Sequence, residues 1–534
     1  MAGQRLERAH CDWFADEPIL DSTIGGLLRA QAASTPHAPA LIEGLPGGTT
    51  GRRWRYADLL RDAGRIAQAL AARFHPGERV AVWAPNSPEW VLLEHAVALA
   101  GLTLVTVNPS YQKRELDFVL RQSGAAGLVL ASEYRGNPMR AIAEAVADDI
   151  PALRELIDIA GLLTLQGAGE LPDVDTNDPA QIQYTSGTTG FPKGVVLSHR
   201  NLTNNSRLFG KAGGLPPQSV TIGLTPLFHT IGCSMSVLGA LQLGGAYVSL
   251  TTFDPHAALD LIASEQVGWT IAVPTMALAL IEAQRARPRD LSALQFIGMG
   301  GAMVAPELAR AAKSVLGSGV YVAYGQTESS PLITNCRPGD AFDDICSTIG
   351  RPSLGSEVLI ADPATGELLP CGVVGEIRVR SYATMLGYHE NPEATAAAVD
   401  GAGWLRTGDL GTMDERGFVT ITGRVKDMII RGGENLFPAE IENVLLEHPS
   451  VLECAVVGVP CEKMGEAVAA FIRLADGAAL DEDALRSHCR AQISPQKCPA
   501  HWQVVEAWPL TGSGKIQKFV LRDQWAAARD AAPV

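Results

Sequence analysis

No two of the nine cysteines stand at Cys-x-x-Cys spacing, and they are scattered from Cys11 to Cys498. This argues against a zinc pattern and a disulfide framework, and it suits a reducing compartment. Basic residues are in deficit, with 43 Lys and Arg against 58 Asp and Glu, a net charge of −15. Nonspecific nucleic-acid binding, which needs a basic surface, is therefore not expected. The first residues, MAGQRLERAHCDWF, lack the apolar core of a signal peptide, so a cytoplasmic location is expected. No repeat or low-complexity block occurs. One long run, Ile231 to Leu250, carries no charge, but four glycines, three serines and Gln242 interrupt it and no basic cluster flanks it. It reads as a helix and strand inside an α/β core rather than as a membrane span.

What is there is a chain of 534 residues, enough for about three or four domains or subdomains. A hydrophobic share of 46% with 19% charged residues describes a globular protein. In the first third, the apolar runs Val80–Trp83, Leu104–Val107 and Leu128–Leu130 alternate with helical stretches, one of them from Pro88 to Leu99. That spacing predicts parallel sheets with helices on their faces. The pattern resumes at Thr270–Val273 and Phe296–Gly298. From Gly350 to Phe418 short glycine-rich strands, such as Glu376–Arg380, predict an antiparallel barrel or distorted sheet. A polar joint, Gly423–Asp427, leads into a compact unit whose first helix has Pro438 at its first position, Ile441, Val444 and Leu445 on one face, and Pro449 as its stop. The expected division is residues 1–425 and residues 426–534, with a hinge near Lys426.

The densest signal is Tyr184-Thr185-Ser186-Gly187-Thr188-Thr189-Gly190-Phe191-Pro192-Lys193-Gly194. Glycines let backbone N–H groups turn toward an anion, hydroxyls add donors, and the lysine adds charge. The composition is that of a polyphosphate cradle. It is not the Walker pattern, because Lys193 precedes a glycine and no Ser or Thr follows it. The segment resembles the phosphate loop of the adenylate-forming superfamily, which joins acyl-CoA synthetases, peptide-synthetase adenylation domains and luciferases. The resemblance runs over nearly the whole chain, since further family motifs recur in order. It implies an α/β fold with parallel-sheet subdomains and a β-barrel-like subdomain in a large N-terminal domain, followed by a small mobile α+β C-terminal domain.

The resemblance also implies residue roles. Thr185, Ser186, Gly187, Thr188, Thr189, Gly190 and Lys193 would bind ATP or AMP. Gly301 and Ala302 would belong to the adenine-side loop. In Tyr324-Gly325-Gln326-Thr327-Glu328, Tyr324 would stack on adenine, Thr327 would bond the α-phosphate, and Glu328 would hold magnesium with Thr185; a hard cation takes oxygen ligands and offsets phosphate charge. Asp409, in Trp404–Asp409, would hold the ribose hydroxyls, a diol being a natural partner for a carboxylate. Arg424 would reach the ribose or phosphate. Lys515, in Thr511-Gly512-Ser513-Gly514-Lys515-Ile516, would be the mobile catalytic cation that bridges the substrate carboxylate and the α-phosphate. Lys426 would mark the hinge, and Gly432 and Gly433 would thin the wall of a pantetheine tunnel. His229 would stand at the mouth of the acyl pocket.

These roles describe an ATP-dependent carboxylate–coenzyme A ligase with magnesium as cofactor, closest in texture to the medium-chain acyl-CoA synthetases. The segment Val220–Phe253, expected to wall the acyl pocket, contains no Asp, Glu, Lys or Arg. An apolar acid, medium-chain fatty or alternatively aromatic or alicyclic, is the expected substrate. A peptide-synthetase adenylation domain would need an acidic residue near Phe228-His229 and a carrier domain, for which the nineteen residues after Lys515 leave no room. A fatty-acyl-AMP ligase would carry an extra insertion before the joint. Ser381, where many ligases have glycine, argues against a close match to plant coumarate ligases. Dimers are common in the family, so a homodimer is compatible.

Overall fold

The computed structural model describes residues 5–13, 17–185, 192–301, 304–432, 434–461, 463–475, 477–509 and 516–530. Among them the strands form four sheets. The first has the spatial order Gly387–Tyr388, Lys193–Ser198, Pro179–Thr185, Thr103–Val107, Arg79–Trp83, Gly127–Leu130, Glu155–Asp158. Its strands are parallel from Pro179–Thr185 to Glu155–Asp158 and antiparallel at the other edge. The second has nine strands, with Pro39–Leu45, Tyr247–Leu250, Thr221–Gly223, Trp269–Ala272, Phe296–Met299 and Gly319–Tyr324 parallel at its centre. Buried on both faces, these strands are short and almost wholly apolar, as parallel strands under helices must be.

The third sheet is antiparallel and orders His10–Trp13, Ser356–Ala361, Gly375–Ser381, Leu405–Met413 and Val419–Arg424. This is the barrel-like subdomain, with one strand contributed by the far N-terminus. The fourth sheet carries a long hairpin, Val451–Cys461 and Gly465–Leu474; along the free edge of Gly465–Leu474 pair both Ile429–Arg431, itself paired with Glu434–Leu436, and His501–Val504.

Proline opens helix after helix, at Pro88, Pro255, Pro274, Pro306, Pro392 and Pro438. Its fixed φ suits the first helical turn, and the N–H it lacks would have had no partner there. The helix Pro88–Leu99 is capped by Ser87, whose hydroxyl accepts from the Trp90 N–H at 3.1 Å, and all twelve of its residues are buried. A helix buried all round belongs between layers, and this one packs on helices Ile24–Ser34 and Tyr56–Ala71. The uncharged run forms a π-helix, Ile231–Leu238, continued by an α-helical turn, Gly239–Leu243, and the strand Tyr247–Leu250. Ser236 Oγ donates to the Ile231 carbonyl five residues back, at 3.0 Å, which supports the wide turn. No helix among the described residues is long and apolar enough to cross a membrane.

Candidate functional site

Strands Pro179–Thr185 and Lys193–Ser198 pair antiparallel, with Thr185 opposite Lys193, and the phosphate-loop segment joins them. Ser186, Gly187, Thr188, Thr189 and Gly190 lie outside the described residues, as do Ala302, Gly433 and Lys515. At the described ends of the hairpin, Thr185 Oγ1 lies 3.5 Å from the Lys193 carbonyl oxygen. Lys193 Nζ sits 4.8 Å from the centre of the Tyr388 ring, a cation–π contact. Tyr388 in turn donates from its hydroxyl to Glu328 Oε1 at 2.8 Å.

Glu328 lies in the short turn Thr327–Ser329, which packs on strand Lys193–Ser198. Its carbonyl accepts the Met385 N–H at 2.9 Å, so the 385–388 segment grips it by both backbone and side chain. Tyr388 arrives there because Gly387–Tyr388 pairs with Val195–Val196. Burial and the Glu328 charge raise the Tyr388 phenol above its ordinary value, so it stays a donor at neutral pH. The motifs did not point to Tyr388.

A second cluster centres on Asp409, which is buried. Tyr324 donates to Asp409 Oδ2 at 2.7 Å, and Arg424 Nε lies 2.9 Å from Asp409 Oδ1. The aspartate is aimed by its neighbour: Thr407 Oγ1 donates to the Ile377 carbonyl at 2.6 Å and accepts the Asp409 N–H at 3.1 Å. Gly408 between them has φ +69°, a left-handed conformation that favours glycine. Burial, then the Asp409 charge, pushes the Tyr324 phenol well up. Three residues spread over a hundred positions thus meet: Tyr324, Asp409 and Arg424.

His229 is half-buried just before the π-helix, its ring 5.9 Å from that of Phe228. Its carbonyl accepts from Gly232 N, Cys233 N and Cys233 Sγ. Behind the π-helix runs a polar chain that the uncharged segment 220–253 did not announce. Glu94, 2% exposed in the buried helix, accepts from Gln181 Nε2 at 2.7 Å. Gln183 Nε2 donates to Gln181 Oε1 at 2.7 Å and reaches Cys233 Sγ at 3.2 Å. The segment is uncharged as expected, yet a carboxyl from elsewhere in the chain backs it. Burial pushes that carboxyl well above the usual range, which favours its protonated form. Its signal in the sequence was an acid inside the otherwise apolar stretch Trp90–Leu93 and Ala96–Ala100.

In the C-terminal unit, Lys426 lies in the turn Val425–Asp427, directly after the strand that ends at Arg424. Gly432 has φ +61° and donates its N–H to the Met464 carbonyl at 2.8 Å. A Cβ there would stand 2.5 Å from Met464 Cε, so the tip of the long hairpin closes over this glycine. Gly301 has φ +79°, and a Cβ on it would lie 3.8 Å from Ile231 Cδ1. The loop at Gly301 and the head of the π-helix are therefore neighbours.

A lysine-bearing hairpin beside a carboxylate, and a buried aspartate with lone pairs to spare, can serve phosphate and diol recognition together. Comparison with known proteins agrees with that chemistry. Residues 28–389 match the AMP-binding enzyme family, and residues 440–515 match the AMP-binding enzyme C-terminal domain. The chain is 37% identical over 540 residues to the putative acyl-CoA synthetase YngI of Bacillus subtilis, covering 95% of this chain and 97% of YngI. It is 34% identical over 550 residues to the mitochondrial medium-chain acyl-CoA ligase ACSF2 of Rattus norvegicus, covering 95% and 88%. The crystal structure of ATP-bound MatB from Rhodopseudomonas palustris superposes with a TM-score of 0.86 at 30% identity, covering 95% of this chain and 99% of MatB. The chain belongs to the AMP-binding enzyme family, and within it to the acyl-CoA synthetases.

Proposed function

We propose that the enzyme activates an apolar carboxylic acid, with medium-chain fatty acids as the preferred class, and passes the acyl group to coenzyme A. The observation that carries this substrate class is the wall beyond His229: segment 220–253 has no charged side chain, and Ile231 and Met235 pack with Trp269, Ile271 and Phe296. A buried ammonium or second carboxylate there would cost several kcal/mol, while each buried methylene contributes about 0.8 kcal/mol.

In the first step a carboxylate oxygen attacks the α-phosphorus of ATP and pyrophosphate leaves. In the second the coenzyme A sulfur attacks the acyl carbon, losing its proton, and AMP leaves. Asp409 would take the ribose hydroxyls, since each of its oxygens has one bond, to Tyr324 or Arg424, and a carboxylate offers about four acceptor sites. Tyr324, with its hydroxyl anchored on Asp409, would present its ring to adenine beside Gly301. Lys193 would meet the phosphates from the hairpin. Glu328 and Thr185 would hold magnesium; Tyr388 uses only Oε1 of Glu328, which leaves oxygen sites for a hard cation. That ion, when bound, supplies positive charge against the polyphosphate. Thr327 and Lys515 would stabilise charge at the α-phosphate, and His229 would line the mouth of the acyl pocket.

A second reading, an aromatic acid as substrate, is favoured by the rings of Phe209, Trp269, Phe296 and Tyr321 in the same cluster. Pyrophosphate release and thioester formation, each with and without coenzyme A, test both over straight-chain acids from acetate to palmitate plus benzoate, a cinnamate and phenylalanine. The expected result is thioester with a maximum among medium-chain acids. Best activity with acetate or phenylalanine overturns the apolar-pocket reading, and pyrophosphate without thioester overturns the ligase.

A further inference from the structure

The face of the helix behind the reacting centre ends on one tryptophan. Ile231, Met235 and Gly239 recur every fourth residue, and the wide π-turn keeps them on one side. Ile231 stands beside Gly301, at the reacting end. Gly239, about two helical turns further in, faces Trp269: a Cβ on Gly239 would lie 2.9 Å from Trp269 Cη2. We propose that Trp269 ends the acyl pocket, and that its seat against Gly239 sets the longest chain the enzyme accepts. This rests on the apolar-acid reading above and gives it a named limit.

The two ends differ in how firmly they are held. Met235 is unbranched and can shift to admit a tail. Trp269 cannot shift in the same way, because it is fully buried among rings. Its ring centroid is 5.9 Å from that of Phe209 and 6.1 Å from that of Phe296, with Phe296 in turn 5.0 Å from Tyr321. Tyr321 pins this stack by donating to the Ala212 carbonyl at 2.6 Å. A growing alkyl tail therefore gains contacts along Ile231 and Met235 and then meets a packed aromatic block. The Trp269 indole N–H has no hydrogen-bond partner among the described residues, so packing alone holds the ring. Replacing it strands no polar partner, and the site can be reshaped without breaking a network.

The test is the chain-length profile of kcat/KM for thioester formation in wild type, Trp269→Leu, Trp269→Phe and Gly239→Ala. Trp269→Leu opens the end, so the optimum moves up by about two carbons or more, with roughly tenfold gains for the acids just beyond the wild-type limit. Gly239→Ala sets a methyl against the fixed indole at the closed end of the pocket, so the optimum moves down and the longest accepted acids lose about tenfold. Trp269→Phe, which keeps a ring in the cluster, gives a smaller upward shift and serves if the leucine variant does not fold. A structural role alone would lower the Tm and scale all acids equally. Unchanged relative profiles in the folded variants, with wild type active, overturn the inference while leaving the ligase reading intact. Absence of thioester from any straight-chain acid in wild type overturns both.

Discussion

Asp409 and Arg424 face each other as register partners on neighbouring antiparallel strands, with Arg424 Nε 2.9 Å from Asp409 Oδ1. The other oxygen, Oδ2, takes the Tyr324 hydroxyl at 2.7 Å. The carboxylate is thus positioned before any nucleotide is bound. Asp409→Asn keeps the shape but loses the charge that strengthens its hydrogen bonds, which are worth about 1.5–3 kcal/mol each when charge-assisted. The KM for ATP in pyrophosphate release should rise by about 10- to 100-fold, and Tyr324→Phe should raise it less. An unchanged KM for ATP in Asp409→Asn would remove the aspartate from nucleotide binding.

The two half-reactions should separate by mutation. Lys515→Ala should lower adenylate formation by about two orders of magnitude or more, as loss of one preorganised charge contact does, and spare thioester formation from supplied acyl-AMP. Lys426→Pro, which restricts φ at the proposed hinge, and Gly433→Leu, which fills the proposed tunnel, should do the reverse. Rapid-quench measurement of pyrophosphate and thioester in each variant decides. Equal loss of both steps in all three variants contradicts a C-terminal unit that presents different faces in turn.

Glu94 and His95 are adjacent, buried, and pull stability in opposite directions with pH. Burial raises the Glu94 carboxyl, so its contribution is fully present below the unfolded carboxylate value and is lost as pH rises. Burial lowers His95 to about 4, so its contribution is present above the unfolded histidine value of about 6.5 and is lost as pH falls toward 4. Glu94→Gln mimics the protonated acid and can still accept from Gln181. Its Tm should exceed that of wild type at pH 8, by roughly 1 °C per kcal/mol regained, and match it near pH 4. A Tm difference that does not change with pH refutes the buried neutral acid.

Local signals carried much of the architecture. The helix from Pro88 to Leu99 was readable because proline, an apolar run and Ser87 all point to the same start. The parallel strands were readable from short apolar runs ending at turn residues. The strand His10–Trp13 was not, because it exists only by pairing with Ser356–Ala361, more than three hundred residues on. Tyr388 escaped for the same reason: its strand has two residues, too few to show a period, and its role depends on what it pairs with. The motif residues Tyr324, Asp409 and Arg424 were named from their segments, but only the fold puts them on one carboxylate. Glu94 was missed because segment 220–253 was read alone, without the helix whose polar chain reaches Cys233 from behind. The wide turn at Ile231–Leu238 has no sequence period distinct enough from an α-helix to announce itself.

The late strand Gly387–Tyr388 also dates the enzyme's assembly. Lys193, which opens the hairpin's second strand, leaves the ribosome about 195 residues before the tyrosine that engages both it and Glu328. At about 5–20 residues per second, that interval lasts about 10 to 40 seconds. A nascent chain in that window owns the lysine hairpin but lacks the partner that seats it. On the proposed roles, nucleotide recognition waits for Tyr388 and then for Asp409 and Arg424, which follow it in the chain.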